Sequence, residues 1–253
     1  MFKNIIAKKP GTSYLKGLTT SDLGKPDYNL LLKQHENYLD ALKKCNVNIE
    51  ILPESEEFPD STFVEDTAVL TKEFAVITNP GAQSREKEVL EIEKTLSKYY
   101  ETFHYIKSPG TLDGGDVLQI ESTFYIGLSD RTNNEGANQL KQILKKNGYN
   151  CEIVELKETF HLKTGVSYLD NNVIVVAKEL ISHPSFANYN KIIVTDKEAY
   201  AANLIKVNDY VIFPLGYPET KDAIEEAGHE VIEVDTSEFK KHDGGLSCLS
   251  LRF

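Results

Sequence analysis

The chain has 253 residues, 40% of them hydrophobic and 26% charged, the balance of a globular protein and enough for one large domain or two small ones. Its net charge of −11 and the lack of any Lys/Arg run argue against a nucleic-acid or anionic-membrane surface, but suit a small cationic ligand. Cys45, Cys151 and Cys248 are odd in number, far apart and form no CxxC pair, so neither a disulfide framework nor a zinc cluster is expected.

The elements recur as strand, turn, strand, helix, strand. The N-terminal strand Asn4-Ile-Ile-Ala is followed by a helix with Leu31, Tyr38 and Leu42 on one stripe, then by Asn48-Ile-Glu-Ile-Leu. The first complete unit starts at Asp66, turns near Lys72-Glu73 and returns as Phe74-Ala-Val-Ile-Thr. Its helix begins about Ser84, the expected cap, and carries Val89, Ile92 and Leu96. The second starts at Asp116, turns at Glu121-Ser122, and places Ala137, Leu140 and Leu144 on one helical face. Gly148 ends that helix, and Cys151 to Leu156 closes the unit. The third starts at Gly165, turns at Asp170-Asn-Asn172 and has only a short helical part before Lys191-Ile-Ile-Val. The fourth starts at Ala202, turns at Asn208-Asp209, and has a helix near Glu219 to Ala227 before Glu230-Val-Ile-Glu-Val. A last strand, Leu246 to Phe253, lacks a partner hairpin, and pairing it with the N-terminal segment completes a fifth unit. A repeat of roughly 35 to 50 residues is typical of propellers and arrays, and closure through the termini leaves no open edge. An α/β sandwich without symmetry accounts for the same elements. No linker or second domain is visible, so residues 1–253 read as one domain. No stretch reaches the roughly 18 apolar residues of a membrane span, and the N-terminal apolar run is too short for a signal peptide. A reducing cytoplasm is the expected location.

The candidate chemistry lies in the turns that precede strands. Near the end, His242-Asp-Gly-Gly-Leu-Ser-Cys248 puts a thiol after a Gly-Gly turn and at the start of an apolar strand. A lone cysteine in a strand is more often inert core. His161 immediately precedes the third unit, and it pairs with Cys248 as base and nucleophile only if the fold brings them together. Acidic motifs precede the first two units: Asp60-Ser-Thr-Phe63-Val-Glu65-Asp66 and Leu112-Asp113-Gly-Gly-Asp-Val. Glu65, Asp113 and His161 follow one another at intervals of 48. Rotationally related units would place them at equivalent strand ends, near a common axis. Asp-Gly-Gly by itself is an ordinary turn. Arg85 and Arg131 each lie near the start of a predicted helix. Both suit a forked grip on one carboxylate, or a surface ion pair of little energetic worth.

Taken together these motifs, with Gly127-Leu-Ser-Asp-Arg-Thr-Asn133 and His161-Leu-Lys, resemble the dimethylarginine dimethylaminohydrolase family nearly end to end. The resemblance implies a five-bladed α/β propeller of the guanidino-modifying enzymes, no cofactor, no metal, a small guanidino amino acid as substrate, and a homodimer. It implies Cys248 as nucleophile, His161 as general acid/base and Asp113 as the carboxylate beside it. Glu65 and Asp66 match acids lining the guanidinium end, and Arg85 and Arg131 the clamp on the substrate carboxylate. Asp60 and the backbone of Leu18, in a loop like the family's mobile lid, match the α-amino contacts. Phe63 matches a pocket wall. His242 departs from the family, which carries an aliphatic residue there. The implied reaction converts N-omega-methylated arginine to citrulline and a methylamine through a covalent thiouronium. The thiolate would be favoured by the cationic substrate or by protonated His161. Rival readings are an arginine deiminase, a citrulline or other ureido hydrolase, an amidinotransferase, and a non-catalytic propeller that binds a macromolecule. The short chain disfavours the deiminases and amidinotransferases, which carry insertions.

Overall fold

A computed structural model describes residues 1–253. Strand β1 (Asn4–Lys8) leads into helix α1 (Tyr28–Lys43) and strand β2 (Asn48–Leu52). Helix α1 forms where the sequence places its apolar stripe: Asp27 caps it by accepting the Leu30 N–H at 3.0 Å, and Leu31, Tyr38 and Leu42 are fully buried. Each such burial stabilises by roughly 1.5–3 kcal/mol. The next unit is β3 (Ala68–Leu70), β4 (Ala75–Ile77), α2 (Val89–Leu96) and β5 (Phe103–Tyr105). The third is β6 (Val117–Ile120), β7 (Thr123–Leu128), α3 (Asn134–Lys146) and β8 (Asn150–Glu155). A single turn, α4 (Leu162–Gly165), precedes β9 (Val166–Asp170), β10 (Val173–Val176) and β11 (Asn190–Ile193). The last complete unit is β12 (Ile205–Val207), β13 (Tyr210–Pro214), α5 (Pro218–Glu226) and β14 (Glu230–Val234). After the short α6 (Ser237–Lys240), β15 (Ser250–Arg252) ends the chain.

The strands form five three-stranded sheets of one topology: an antiparallel pair, then a parallel crossover to the third strand. The first sheet is assembled from both termini, with Ile6 opposite Leu251 in the antiparallel pair and opposite Glu50 in the parallel one. The hairpin turns follow their chemistry. Asn171 and Asn172 take left-handed φ values of 48° and 64°, and Asn208 takes 54°, conformations that asparagine tolerates. Asn133 caps α3 through Gly136 N–H, and Gly148 closes it at φ 85°.

Each buried apolar cluster is shared by two units. Ile6, Leu52 and Leu251 pack with Ala75 and Ile77; Val69 and Val76 with Val117 and Ile126; Leu118 and Tyr125 with Val166 and Ile174; Leu169 and Val175 with Leu204 and Val211. The fifth cluster returns to the start, joining Ile205, Ile212 and Val234 to Ile5 and α1. No helix is long and apolar enough to cross a membrane.

Two expectations need correction. Ser84 caps nothing: Gln83–Glu88 is a 3-10 turn, and α2 starts only at Val89. Arg85 is thereby buried in that turn instead of opening a helix into solvent. Cys248 does not begin a strand. It lies on a 3-10 turn, Ser247–Leu249, just ahead of β15.

Candidate active site

The first strand of each unit is preceded by a tight turn: Val64–Thr67, Gly114–Asp116, α4, Asp196–Ala202 and Ser247–Leu249. These turns pack on one another, and Asn203, just past the fourth, reaches the fifth by accepting the Ser247 N–H at 2.9 Å. Residues two hundred positions apart in sequence therefore meet. Leu18, Asp60, Phe63, Asp66, Arg85, Asp113, Arg131, His161, His242 and Cys248 all line one cavity of about 140 Å³. Glu65 does not. It borders a separate, larger hollow of about 640 Å³ that contains neither Cys248 nor His161.

The adjacent acids Glu65 and Asp66 point different ways. Glu65 Oε1 takes Lys163 Nζ at 2.7 Å and Arg252 Nη2 at 2.8 Å, and Oε2 accepts the Ser247 hydroxyl at 2.7 Å. Where a contact with a guanidinium was expected, Glu65 belongs to a buried ion cluster behind the Cys248 turn. Asp66 faces the cavity; its Oδ1 accepts the Gly115 N–H at 3.0 Å and its Oδ2 meets Arg85 Nη1 at 2.6 Å. Gly115 must be glycine, because a Cβ there would lie 2.7 Å from His161 Nδ1 and 2.9 Å from Asp66 Oδ1.

His161 Nε2 lies 3.3 Å from Asp113 Oδ2 and 4.0 Å from Asp116 Oδ2. The nearer contact is too poorly aligned to count as a hydrogen bond, so it is an ion-pair contact. Burial alone would lower the imidazole's pKa, but Asp116, Asp113 and Asp66 outweigh it and raise it to about 9. His161 is therefore a proton donor at neutral pH. Cys248 is the opposite case. Burial first, then the charges of Glu65 and Asp66, push its thiol up to about 12. Lys163 pulls the other way without prevailing, so the sulfur rests protonated, and an added cation would favour the thiolate.

At the other end, Asp60 Oδ1 accepts the Leu18 N–H at 2.9 Å, and burial raises the pKa of its carboxyl. The same loop continues through Thr20, whose N–H and hydroxyl bond Asp243 at 2.6 and 3.1 Å. His242 stacks on Tyr14 with ring centroids 4.7 Å apart, and burial lowers its pKa. Phe63 meets Tyr14 edge-on at 5.8 Å and sits so close to Gly244 that a side chain there would collide with it. The two arginines differ. Arg85 is tied to Asp66, to Glu88 Oε2 at 2.9 Å and to the Phe63 carbonyl at 2.8 Å. Arg131 pairs with no carboxylate and lies 5.5 Å from the centre of the Phe160 ring, half-buried, its charge free for an incoming anion.

Asp66, Asp113 and His161 bring three donor atoms within 4.8 Å of one another, a spacing suited to a metal ion. Arg85 and Gly115 already use Asp66, Gly81 N–H uses Asp113 at 2.8 Å, and His161 holds a proton. A metal ion taking all three as ligands would have to displace a guanidinium and a proton. Sequence reasoning missed Phe160, Asp116, Asp243 and Glu88. Only Asp116 carried a signal, as the last acid of the Asp113-Gly-Gly-Asp116 motif.

The family model described as N,N dimethylarginine dimethylhydrolase, eukaryotic, matches residues 25–214. The chain belongs to the dimethylarginine dimethylaminohydrolase family. It is 50% identical to the N(G),N(G)-dimethylarginine dimethylaminohydrolase of Pseudomonas aeruginosa, over the whole of both chains, and 31% identical to that of Streptomyces coelicolor, over 99% and 96%. A solved structure of the Pseudomonas dimethylarginine dimethylaminohydrolase, a cysteine variant complexed with citrulline, superimposes with TM-score 0.99 at 49% identity over both full chains. The N-terminal domain of a cyanobacterial arginine dihydrolase shares the fold, with TM-score 0.88 at 19% identity over 98% and 97% of the two chains.

Proposed function

We propose that this chain hydrolyses N-omega-methylated arginines, such as dimethylarginine and monomethylarginine, to citrulline and a methylamine. The observation that carries it is the polarity of one small cavity. A thiol, a protonated imidazole and Asp66 occupy one end, while unpaired Arg131 and the Asp60 carboxylate occupy the other. That pattern fits an amino acid whose side chain ends in a cation. It also fits the citrulline complex of the half-identical Pseudomonas enzyme.

In this reading Asp66 and Asp113 orient the guanidinium, Arg131 binds the α-carboxylate with Arg85 beside it, and Asp60 with the Leu18 backbone takes the α-amine. The cation resting on the sulfur opposes the burial and acidic neighbours that hold Cys248 protonated. The thiol gives its proton to solvent, and the thiolate sulfur attacks the guanidinium carbon. His161 gives its proton to the departing amine, leaving an S-linked thiouronium. Neutral His161 then takes a proton from water, the hydroxide adds to the carbon, and the C–S bond breaks; the departing thiolate recovers the hydroxyl proton of the adduct, leaving citrulline, the free thiol and protonated His161. His242 stands where the family has an aliphatic wall.

The reading extends to architecture. The ring of shared clusters supports five blades of a propeller closed by β1 and β15, in one catalytic domain 1–253. A homodimer, and a reducing cytoplasm for the three free cysteines, belong to the same proposal. The test is to incubate the protein separately with dimethylarginine, arginine and citrulline and to measure amine, ammonia and citrulline. Dimethylamine and citrulline in equal amounts are expected, with turnover abolished in Cys248→Ser. Release of ammonia from arginine alone, or full activity in Cys248→Ser, overturns the reading.

A further inference from the structure

Asp116 is fully buried on the turn that follows Asp113, and every close partner it has is a donor. Its Oδ1 accepts the backbone N–H of Leu162 at 3.0 Å, one residue beyond His161. Its Oδ2 accepts the hydroxyls of Ser129 and Thr132, each at 2.7 Å. The direction of the Ser129 bond is forced. The Ser129 oxygen already accepts the N–H groups of Arg131 at 3.0 Å and Thr132 at 3.2 Å, and the Thr132 oxygen accepts the Asp113 N–H at 3.1 Å. Amides only donate, so the Ser129 proton points to Asp116; burial raises the pKa of this carboxyl, and His161, the two hydroxyls and the Leu162 N–H oppose that rise and favour the ionised acceptor.

We propose that Asp116 is a positioning residue for both ends of the substrate site: it anchors the backbone carrying His161, puts a fixed negative charge behind that imidazole, and holds through Ser129 the loop carrying Arg131. The ionisable groups that face His161 are Asp66, Asp113 and Asp116, with the Cys248 thiol on the same cavity wall. Asp66 and Asp113 are engaged with Arg85 and Gly81 at the cavity surface. Asp116 lies outside the cavity lining, so a substrate cation does not neutralise it directly. Its charge therefore persists through the catalytic cycle, when His161 must give up a proton and recover it.

The kinetic arm of the test rests on the hydrolytic reading above; the titration arm does not. In Asp116→Asn, the His161 midpoint, followed by NMR on the full-length protein without substrate, is expected to fall from about 9 in the wild type. The fall should be about one unit or more. The alkaline limb of kcat should move down with it. A merely structural Asp116 would lower thermal stability and kcat at every pH but leave the midpoint in place. A midpoint within about 0.3 unit of wild type in folded Asp116→Asn overturns the proposal. If that variant does not fold, Ser129→Ala decides: it keeps the Asp116 charge but removes the strut to Arg131. KM should rise about threefold or more for substrates with a free α-carboxylate, with the alkaline limb unmoved. An unchanged KM there overturns the proposal. A wild-type protein inert toward every guanidine sinks the hydrolytic reading alone, because the titration is read without substrate.

Discussion

Replacing Glu65 by Gln separates stability from substrate contact. The carboxylate is 3% exposed and answers two cations, Lys163 and Arg252, whose side chains keep only 15% and 14% exposure. Glutamine keeps the shape and an acceptor for Ser247, but leaves two largely desolvated cations without an anion. Breaking a buried pair from one side costs roughly 3–5 kcal/mol, and the residual exposure of the cations places this case at the low end, about 3 kcal/mol. For a chain of this size that corresponds to a fall of roughly 6–12 °C in Tm. The pH dependence gives a sharper check. Burial raises the Glu65 pKa, but Lys163 and Arg252 prevail and hold it below its ordinary value of 4.5. A depressed carboxyl contributes stability above its unfolded pKa and loses it as pH falls through the folded one. Urea unfolding of both proteins should therefore show a gap that is full at pH 7 and shrinks under acid below pH 4.5. A gap under about 1 kcal/mol, or one that stays constant into acid, refutes the ion-cluster account.

Arg131→Ala should raise KM about 10- to 100-fold for substrates with a free α-carboxylate, the worth of a charge-assisted hydrogen bond, and leave decarboxylated guanidines nearly unaffected. Equal losses for both, in parallel kinetics, would argue against the clamp. Gly115→Ala forces a methyl group between His161 and Asp66; stability should fall by about 1–3 kcal/mol, with kcat dropping more than KM changes. Wild-type kcat in that variant would mean that the close approach of these groups is dispensable.

What could be read from the chain alone was local or periodic. The stripe Leu31, Tyr38, Leu42 and the asparagine turns at 171–172 and 208 depend on neighbours a few residues away, and short-range sterics decide them. The 48-residue interval from Glu65 to Asp113 to His161 carried the equivalence of the turns, because repeated units put equal phases at equal places. It could not tell which way each side chain faces. Glu65 and Asp66 are adjacent on one turn, yet Glu65 turns to Lys163 and Arg252, 98 and 187 positions away, while Asp66 turns to the cavity. Arg85 and Arg131 look equivalent in sequence, but Asp66 and Glu88 engage only the first. The protonation of Cys248 and His161 was likewise beyond the sequence. Burial and the charges of Glu65, Asp66, Asp113 and Asp116 fix it, and those act through distances that exist only once the units have packed on one another.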